Sequence, residues 1–174
     1  NLQSQKSNDD YHKQLFMECR NRIDSIAAVH ELIYKAKSYS QLNFKEYLNQ
    51  LIDHISASYK SSEHIKITKG ITDVHINIAA AIPLGLIVNE LITNAYKHAF
   101  SNKKEGLIEI SLLENNNQVF LTIKDNGNGF DKNVIPKNSI GMDILGGLIE
   151  QIDGTYSLNS DAKGTVFKIS FSKK

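Results

Sequence analysis

Asn89-Glu90-Leu91-Ile92-Thr93-Asn94-Ala95-Tyr96-Lys97-His98-Ala99-Phe100 sets four hydrophilic, chemically capable side chains into a stretch that otherwise reads as a buried helix. The apolar run from Ile78 to Val88 leads into it, with Pro83 and Gly85 near its start, where a first-turn proline is tolerated. At about 3.6 residues per turn, Glu90, Asn94 and Lys97 fall on one stripe with His98 at its edge, while Leu84, Val88, Leu91 and Ala95 line another. One face builds core and the other offers a carboxylate, an amide and an ammonium group, suited to a proton, a metal ion and a phosphate respectively. The plain alternative is a solvated i,i+4 surface pattern.

The chain around this helix has 174 residues, enough for one substantial domain and an appendage. With 41% apolar and 22% charged residues it has the balance of a globular protein, and a formal charge of +1 gives no reason to expect nucleic acid as a partner. Cys19 is the single cysteine, so an internal disulfide is excluded and a reducing, cytoplasmic setting is expected, compatible with a membrane-tethered parent. Ile78 to Val88 falls short of the ~20 residues that span a bilayer, so no direct membrane contact is expected. The chain begins with Asn1, as a piece of something longer would.

Between Asn8 and Lys37, His12, Phe16, Cys19, Ile23, Ile26, His30 and Ile33 recur at spacings of four and three, a heptad-like seam of a bundle helix. Asn43 with Glu46 makes a capping box for a helix that buries Phe44, Tyr47, Leu48, Leu51, Ile52 and Ile55 and reaches Tyr59. Ile65 to Thr68 and Val74 to Ile76 read as strands, as do Gly106 to Glu114 and Gln118 to Lys124, the latter pair joined by a turn at Asn115-Asn116-Asn117. A helix over Met142 to Ile152, its end marked by Gly154, precedes two closing strands, Thr155 to Leu158 and Thr165 to Phe171, joined around Asp161 to Gly164. The expected fold is α+β: a mixed, mostly antiparallel sheet covered by helices over residues 42–174, preceded by a helical segment over 1–41.

Asp125-Asn126-Gly127-Asn128-Gly129 interrupts the sheet pattern with two glycines that let backbone turn sharply and approach a ligand. Asp125 suits an exocyclic amine of the kind adenine carries. Asn-Gly pairs also make ordinary hairpin turns, but Asp131 to Asn138 lacks the alternation of a return strand. Gly141 opens a helix whose N-terminus suits an anion. Neither a P-loop nor a Rossmann glycine pattern is present.

Asn89 to Ala95, Asp125-x-Gly127-x-Gly129, Gly141 onward and Gly164-Thr165, in this order, resemble the nucleotide-binding boxes of the superfamily that joins gyrase, heat-shock chaperone ATPases, histidine kinases and mismatch-repair ATPases. The resemblance covers residues 43–174. It implies a Bergerat-type ATP fold in which Asn94 binds Mg²⁺, Asp125 binds adenine, Lys97 and His98 approach the phosphates, and Gly127, Gly129, Gly141 and Thr165 shape the pocket. Lys97-His98, the short Gly129 to Gly141 loop and Leu148-x-x-Gln151-x-x-Gly154-Thr155 look like sensor histidine kinases of the short-lid subclass related to the HWE type. Asn21-Arg22-Ile23-x-Ser25-Ile26-Ala27-x-Val29-His30-Glu31 is similar to the second dimerisation helix of that subclass, and Asn1-Leu2-Gln3 to the tail of its first.

The resemblance implies a homodimer formed through the N-terminal helices, a phosphoacceptor histidine upstream of Asn1 and a response-regulator receiver domain as partner. Glu90 is then the candidate base, with Asn94 and Lys97 carrying the phosphoryl transfer. Asp143 departs from the pattern, standing where many relatives have a second glycine. His30 is expected to pack in the seam, since its surroundings lack the basic residue and proline of an ordinary acceptor box. Cys19 is read as a small buried hydrophobe, His12, His54, His64 and His75 as structural or surface residues, and Lys103-Lys104 as a solvated turn. Two rivals stay open: a same-fold ATPase in which Glu90 activates water, and a nucleotide-binding or dimerisation module without catalysis.

Overall fold

A computed structural model describes residues 23, 27, 31, 41–59, 64–101, 103, 105–130 and 140–173. Ile23, Ala27 and Glu31 are helical. The other positions of the seam helix, His12, Cys19 and His30 among them, lie outside the described residues.

Strand β1 (Leu42–Asn43) pairs antiparallel with β3 (His75–Ile76), Leu42 opposite Ile76. Asn43 also caps α1 (Phe44–Ser58): its side-chain oxygen accepts from Glu46 N at 3.1 Å, satisfying one of the orphan donors of the first turn. All six apolar positions expected of α1 are buried.

The main sheet has the order β2-β4-β5-β7-β6. Its strands are β2 (Ile65–Ile71), β4 (Gly106–Asn115), β5 (Gln118–Asp125), β6 (Thr155–Asp161) and β7 (Gly164–Ser172). Most run longer than their sequence cores, because ladder hydrogen bonds continue into polar residues at the rims. β2 and β4 are parallel, and a crossover helix lies between them in the chain, as parallel neighbours require. The other pairings are antiparallel. Asn116 and Asn117 take positive φ values of 49° and 64°, giving a two-residue hairpin between Asn115 and Gln118.

Alternation along the strands puts Ile108, Ile110 and Leu112 of β4 and Val119, Leu121 and Ile123 of β5 in the core, with Phe167, Ile169 and Phe171 of β7. Helix α2 (Ile78–Asn94) and helix α3 (Ile140–Gln151) contribute Leu84, Ile87, Val88, Ile92, Leu145 and Ile149 to the same core. The other sheet face carries an exposed Lys124–Glu109 ion pair at 2.6 Å. This is the expected α+β sandwich, and it sets the C-terminal end of α2 beside the C-terminal end of β5.

Helix α3 does not end on a left-handed glycine. Asp153, with φ 50°, takes that conformation; Asp153 N and Gly154 N donate to Glu150 O and Ile149 O at 3.0 Å each, the two bonds of a Schellman cap with Gly154 one place further on. A short polar side chain tolerates the left-handed region well enough to take glycine's position.

Candidate functional site

Helix α2 is capped by Asn77, whose side chain accepts from Ala80 N at 2.8 Å. Pro83 therefore lies inside the helix and not in its first turn, leaving the carbonyl of Ala79 without its helical donor. Leu84, Val88 and Ala95 are buried as the periodicity requires, but Leu91 is only half-buried, and Ile92 takes the fully buried place. Asn89 is the buried polar residue of the helix, and its carbonyl accepts from the Thr93 hydroxyl. Length and hydropathy alone would let Ile78–Ala99 cross a bilayer. Its packing against α1 and α3 makes it a core helix instead.

After Asn94 the helix changes type: Ala95–Ala99 is a π-helical turn. Neighbours one turn on become i+4 and i+5 in place of i+3 and i+4. His98 thus stays on the stripe of Glu90 and Asn94, while Lys97 swings to one side, the reverse of what ideal α periodicity gives. Asn94, Lys97 and His98 are exposed and Glu90 is half-buried.

Tyr59, just beyond α1, stacks on Tyr96 of this turn. Burial, followed by the charge of nearby Glu90 and by Tyr96 itself, raises the pKa of the Tyr59 phenol. Periodicity gave Tyr59 no functional weight, because its partner lies 37 positions away in the chain. His54, His64 and His75 are exposed, in keeping with a surface reading.

Facing the π turn is the loop that follows β5. Asp125 Oδ1 accepts from Gly127 N at 2.7 Å and Thr165 N at 3.3 Å, and among the described residues Oδ2 has no protein donor. Thr165 Oγ1 lies 3.0 Å from Ser160 Oγ, which accepts from Phe130 N at 2.9 Å. These bonds tie the late Gly-Thr element to the carboxylate that the sequence assigned to adenine. Ser160 carried no signal in the sequence, since it belongs to an ordinary strand pattern.

The loop is fastened to the helix end. Asn128 donates through its backbone to Ala99 O and through its side chain to Ser101 O, each at 2.8 Å. A Cβ on Gly127 would sit 2.5 Å from both Cβ and O of Ala99, so only glycine permits this approach. Gly129 has φ 60°, and a Cβ there would lie 1.9 Å from Asp161 O. Lys103 is not a free surface residue as its turn suggested: it is half-buried, and its ammonium group donates to the carbonyls of Asn126 and Gly127. Gly141 is the second residue of α3, whose approach over 131–139 lies outside the described residues. Asp131 to Asn138, the Pro136 loop and Lys104 are likewise outside them.

Family comparison agrees with this geometry. Residues 79–174 match the family model described as "Histidine kinase-, DNA gyrase B-, and HSP90-like ATPase". The chain belongs to this family. Residues 1–59 match a second model, described as "Histidine kinase", so both models that match the chain name a histidine kinase.

Among curated relatives, sporulation kinase A of Bacillus subtilis is 29% identical over 97% of this chain and 30% of its own length. Blue-light-activated histidine kinase 2 of Erythrobacter litoralis is 27% identical over 60% of this chain and 31% of its own. The chain thus spans about a third of the length of these relatives. A solved structure of the histidine kinase domain of an Erythrobacter litoralis blue-light activated kinase superposes with a TM-score of 0.78 at 20% identity, covering 88% of this chain and 74% of that one. Its fold is the one described above.

The donor set fits Mg²⁺ held largely by phosphate oxygens. Among the described residues no group of three or more His, Cys, Asp and Glu could hold a metal alone, and the exposed Asn94 offers a single oxygen. Magnesium commonly binds nucleotide sites in this way, through few protein ligands and its own waters.

Proposed function

We propose that this region binds Mg·ATP between the π turn and the Asp125 loop and transfers the γ-phosphoryl group to a histidine of the dimerisation helices. The observation that carries the reading is the state of Asp125: one carboxylate oxygen is held by two backbone amides, while Oδ2, which has no donor among the described residues, can accept from an adenine amine. A carboxylate fixed in this way selects a donor edge such as that of adenine and disfavours the carbonyl edge of guanine.

Phosphoryl transfer asks chiefly for positioning and charge stabilisation. Asn94 would contribute its carboxamide oxygen to Mg²⁺, which neutralises charge on the phosphates. His98, on the stripe of Asn94, and Lys97, reaching from the side, would meet the phosphate oxygens. The acceptor imidazole nitrogen forms the new P–N bond as the bond from Pγ to the β–γ bridging oxygen breaks and ADP departs. Glu90 would take or orient the imidazole proton. Gly127 and Gly129 let the loop close on the base, Thr165 braces Asp125, and Gly141 opens the helix that would face the phosphates.

Residues 1–41 are the end of the dimerisation region in this reading, and 42–174 the catalytic domain. The pairing of Leu42 with Ile76 supports a boundary there. A homodimer, a response-regulator receiver domain as the next phosphate acceptor and a cytoplasmic location complete the proposal.

The test is incubation with γ-phosphate-labelled ATP of the protein extended upstream of Asn1 far enough to include the acceptor histidine. An acid-labile, base-stable phosphoprotein supports the kinase. Steady phosphate release without a phosphoprotein would replace it with an ATPase that uses Glu90 to activate water.

A further inference from the structure

Lys103 does something neither its position nor the family match assigns to it. Its backbone N–H donates to Phe100 O at 3.1 Å, fixing the residue just past the π turn. From there the half-buried side chain reaches the carbonyls of Asn126 and Gly127, the latter at 2.9 Å. An ammonium group has donors only, and loop carbonyls need donors, so the match is chemically complete. No other donor meets these two carbonyls among the described residues.

Two successive carbonyls turned toward one cation fix two peptide planes. In a trans peptide the N–H points away from the C=O. With Asn126 O on Lys103, the N–H of Gly127 is driven to the opposite side, where it meets Asp125 Oδ1 at 2.7 Å. With Gly127 O on Lys103, the N–H of Asn128 is driven to Ala99 O at 2.8 Å. One ammonium group therefore sets both the orientation of the Asp125 carboxylate and the staple between glycine loop and π turn. Asn126 is braced independently, its side chain accepting from Leu107 N at 2.8 Å, so loss of Lys103 leaves the strand end anchored and frees only the glycine segment.

We infer that Lys103 is a positioning residue for nucleotide recognition, holding the Asp125 loop in its binding form through the Asn126 and Gly127 carbonyls. This rests on the nucleotide reading of the Asp125 site. Its effect falls on affinity, because Lys97 and His98, which would meet the phosphates, stand on the π turn, whereas the Lys103 ammonium group meets only the glycine loop.

The experiment is calorimetric titration with ADP of the protein extended upstream to include the acceptor histidine, alongside its autophosphorylation at varied ATP. Lys103→Met, with similar length and no donor, is expected to weaken ADP binding about tenfold and raise the KM for ATP by a like factor, with kcat within about twofold of wild type. Lys103→Arg, whose guanidinium can span two carbonyls, is expected to rescue binding to within about threefold. Lys103→Gln, retaining one donor, should fall between them and carries the test if the Met variant does not fold. Wild-type affinity in both the Met and Gln variants, equal losses in kcat and KM, or no rescue by Arg would overturn the role of Lys103. A wild-type chain that does not bind ADP would overturn the nucleotide reading and this inference together.

Discussion

Tyr59 and Tyr96 stack face to face, with ring centroids 4.6 Å apart and planes within 3°. The pair joins the end of α1 to the π turn between Asn94 and Lys97, so the helix carrying the candidate catalytic groups is braced by α1. A double-mutant cycle with Tyr59→Leu and Tyr96→Leu in urea unfolding is expected to give a coupling energy of about 1 kcal/mol. Additive effects of the two changes would show that the stack braces nothing.

Tyr47 gives the opposite kind of prediction. Its hydroxyl is buried against Gly85 with no hydrogen-bond partner among the described residues, and burial pushes its pKa upward. Tyr47→Phe removes the unsatisfied group and leaves the ring in place, so the variant should be more stable by about 1 kcal/mol. A folded pKa above the unfolded one means that stability is full below the unfolded value of about 10 and is lost as pH rises beyond it. Tyr59 shifts in the same direction. Denaturant midpoints measured across this alkaline range should decline for wild type and decline less for Tyr47→Phe.

Gly129 tests the loop geometry. Alanine there must hold a φ of 60° and place its Cβ against the Asp161 carbonyl. Gly129→Ala should cost about 2 kcal/mol or more in stability and lower ADP affinity at least about tenfold. Thermal unfolding and titration read the two effects separately.

The metal assignment rests on Asn94. Asn94→Ala should abolish the Mg²⁺-dependent gain in ATP affinity while leaving metal-free ADP binding within about twofold, since the adenine contact proposed at Asp125 is untouched. Normal Mg·ATP binding by this variant would remove Asn94 from the metal site.

Much of this could be read from residues alone because the features are local. The Asn43 cap, the apolar stripe of α1 and the Asn116-Asn117 turn each follow from a few adjacent side chains. Asp125 and Thr165 were legible as motifs, but their bond joins positions forty apart and appears only once β5 and β7 pair. The π turn was not legible, since nothing in Ala95-Tyr96-Lys97-His98-Ala99 departs from a helical pattern; the change of pitch moves His98 and Lys97 relative to Asn94. Lys103 looked solvated because lysines in turns usually are, and only the folded loop reveals the two carbonyls it meets. Strand β3 was legible around Val74 to Ile76, but its partner β1 was not, because two residues carry no alternation to detect.

In the proposed function the helix end and the Asp125 loop are two halves of one adenine-nucleotide site. Titration of isotope-labelled chain with Mg²⁺ and a non-hydrolysable ATP analogue, followed by amide NMR, tests it most directly. Saturable shifts are expected at Gly127, Gly129, Thr165 and the π turn, with the Asn94 side-chain amide moving only when Mg²⁺ is present. Shifts confined to the groove between Asn77 and Phe171, at the other end of α2, or no saturable shift at all, would contradict it.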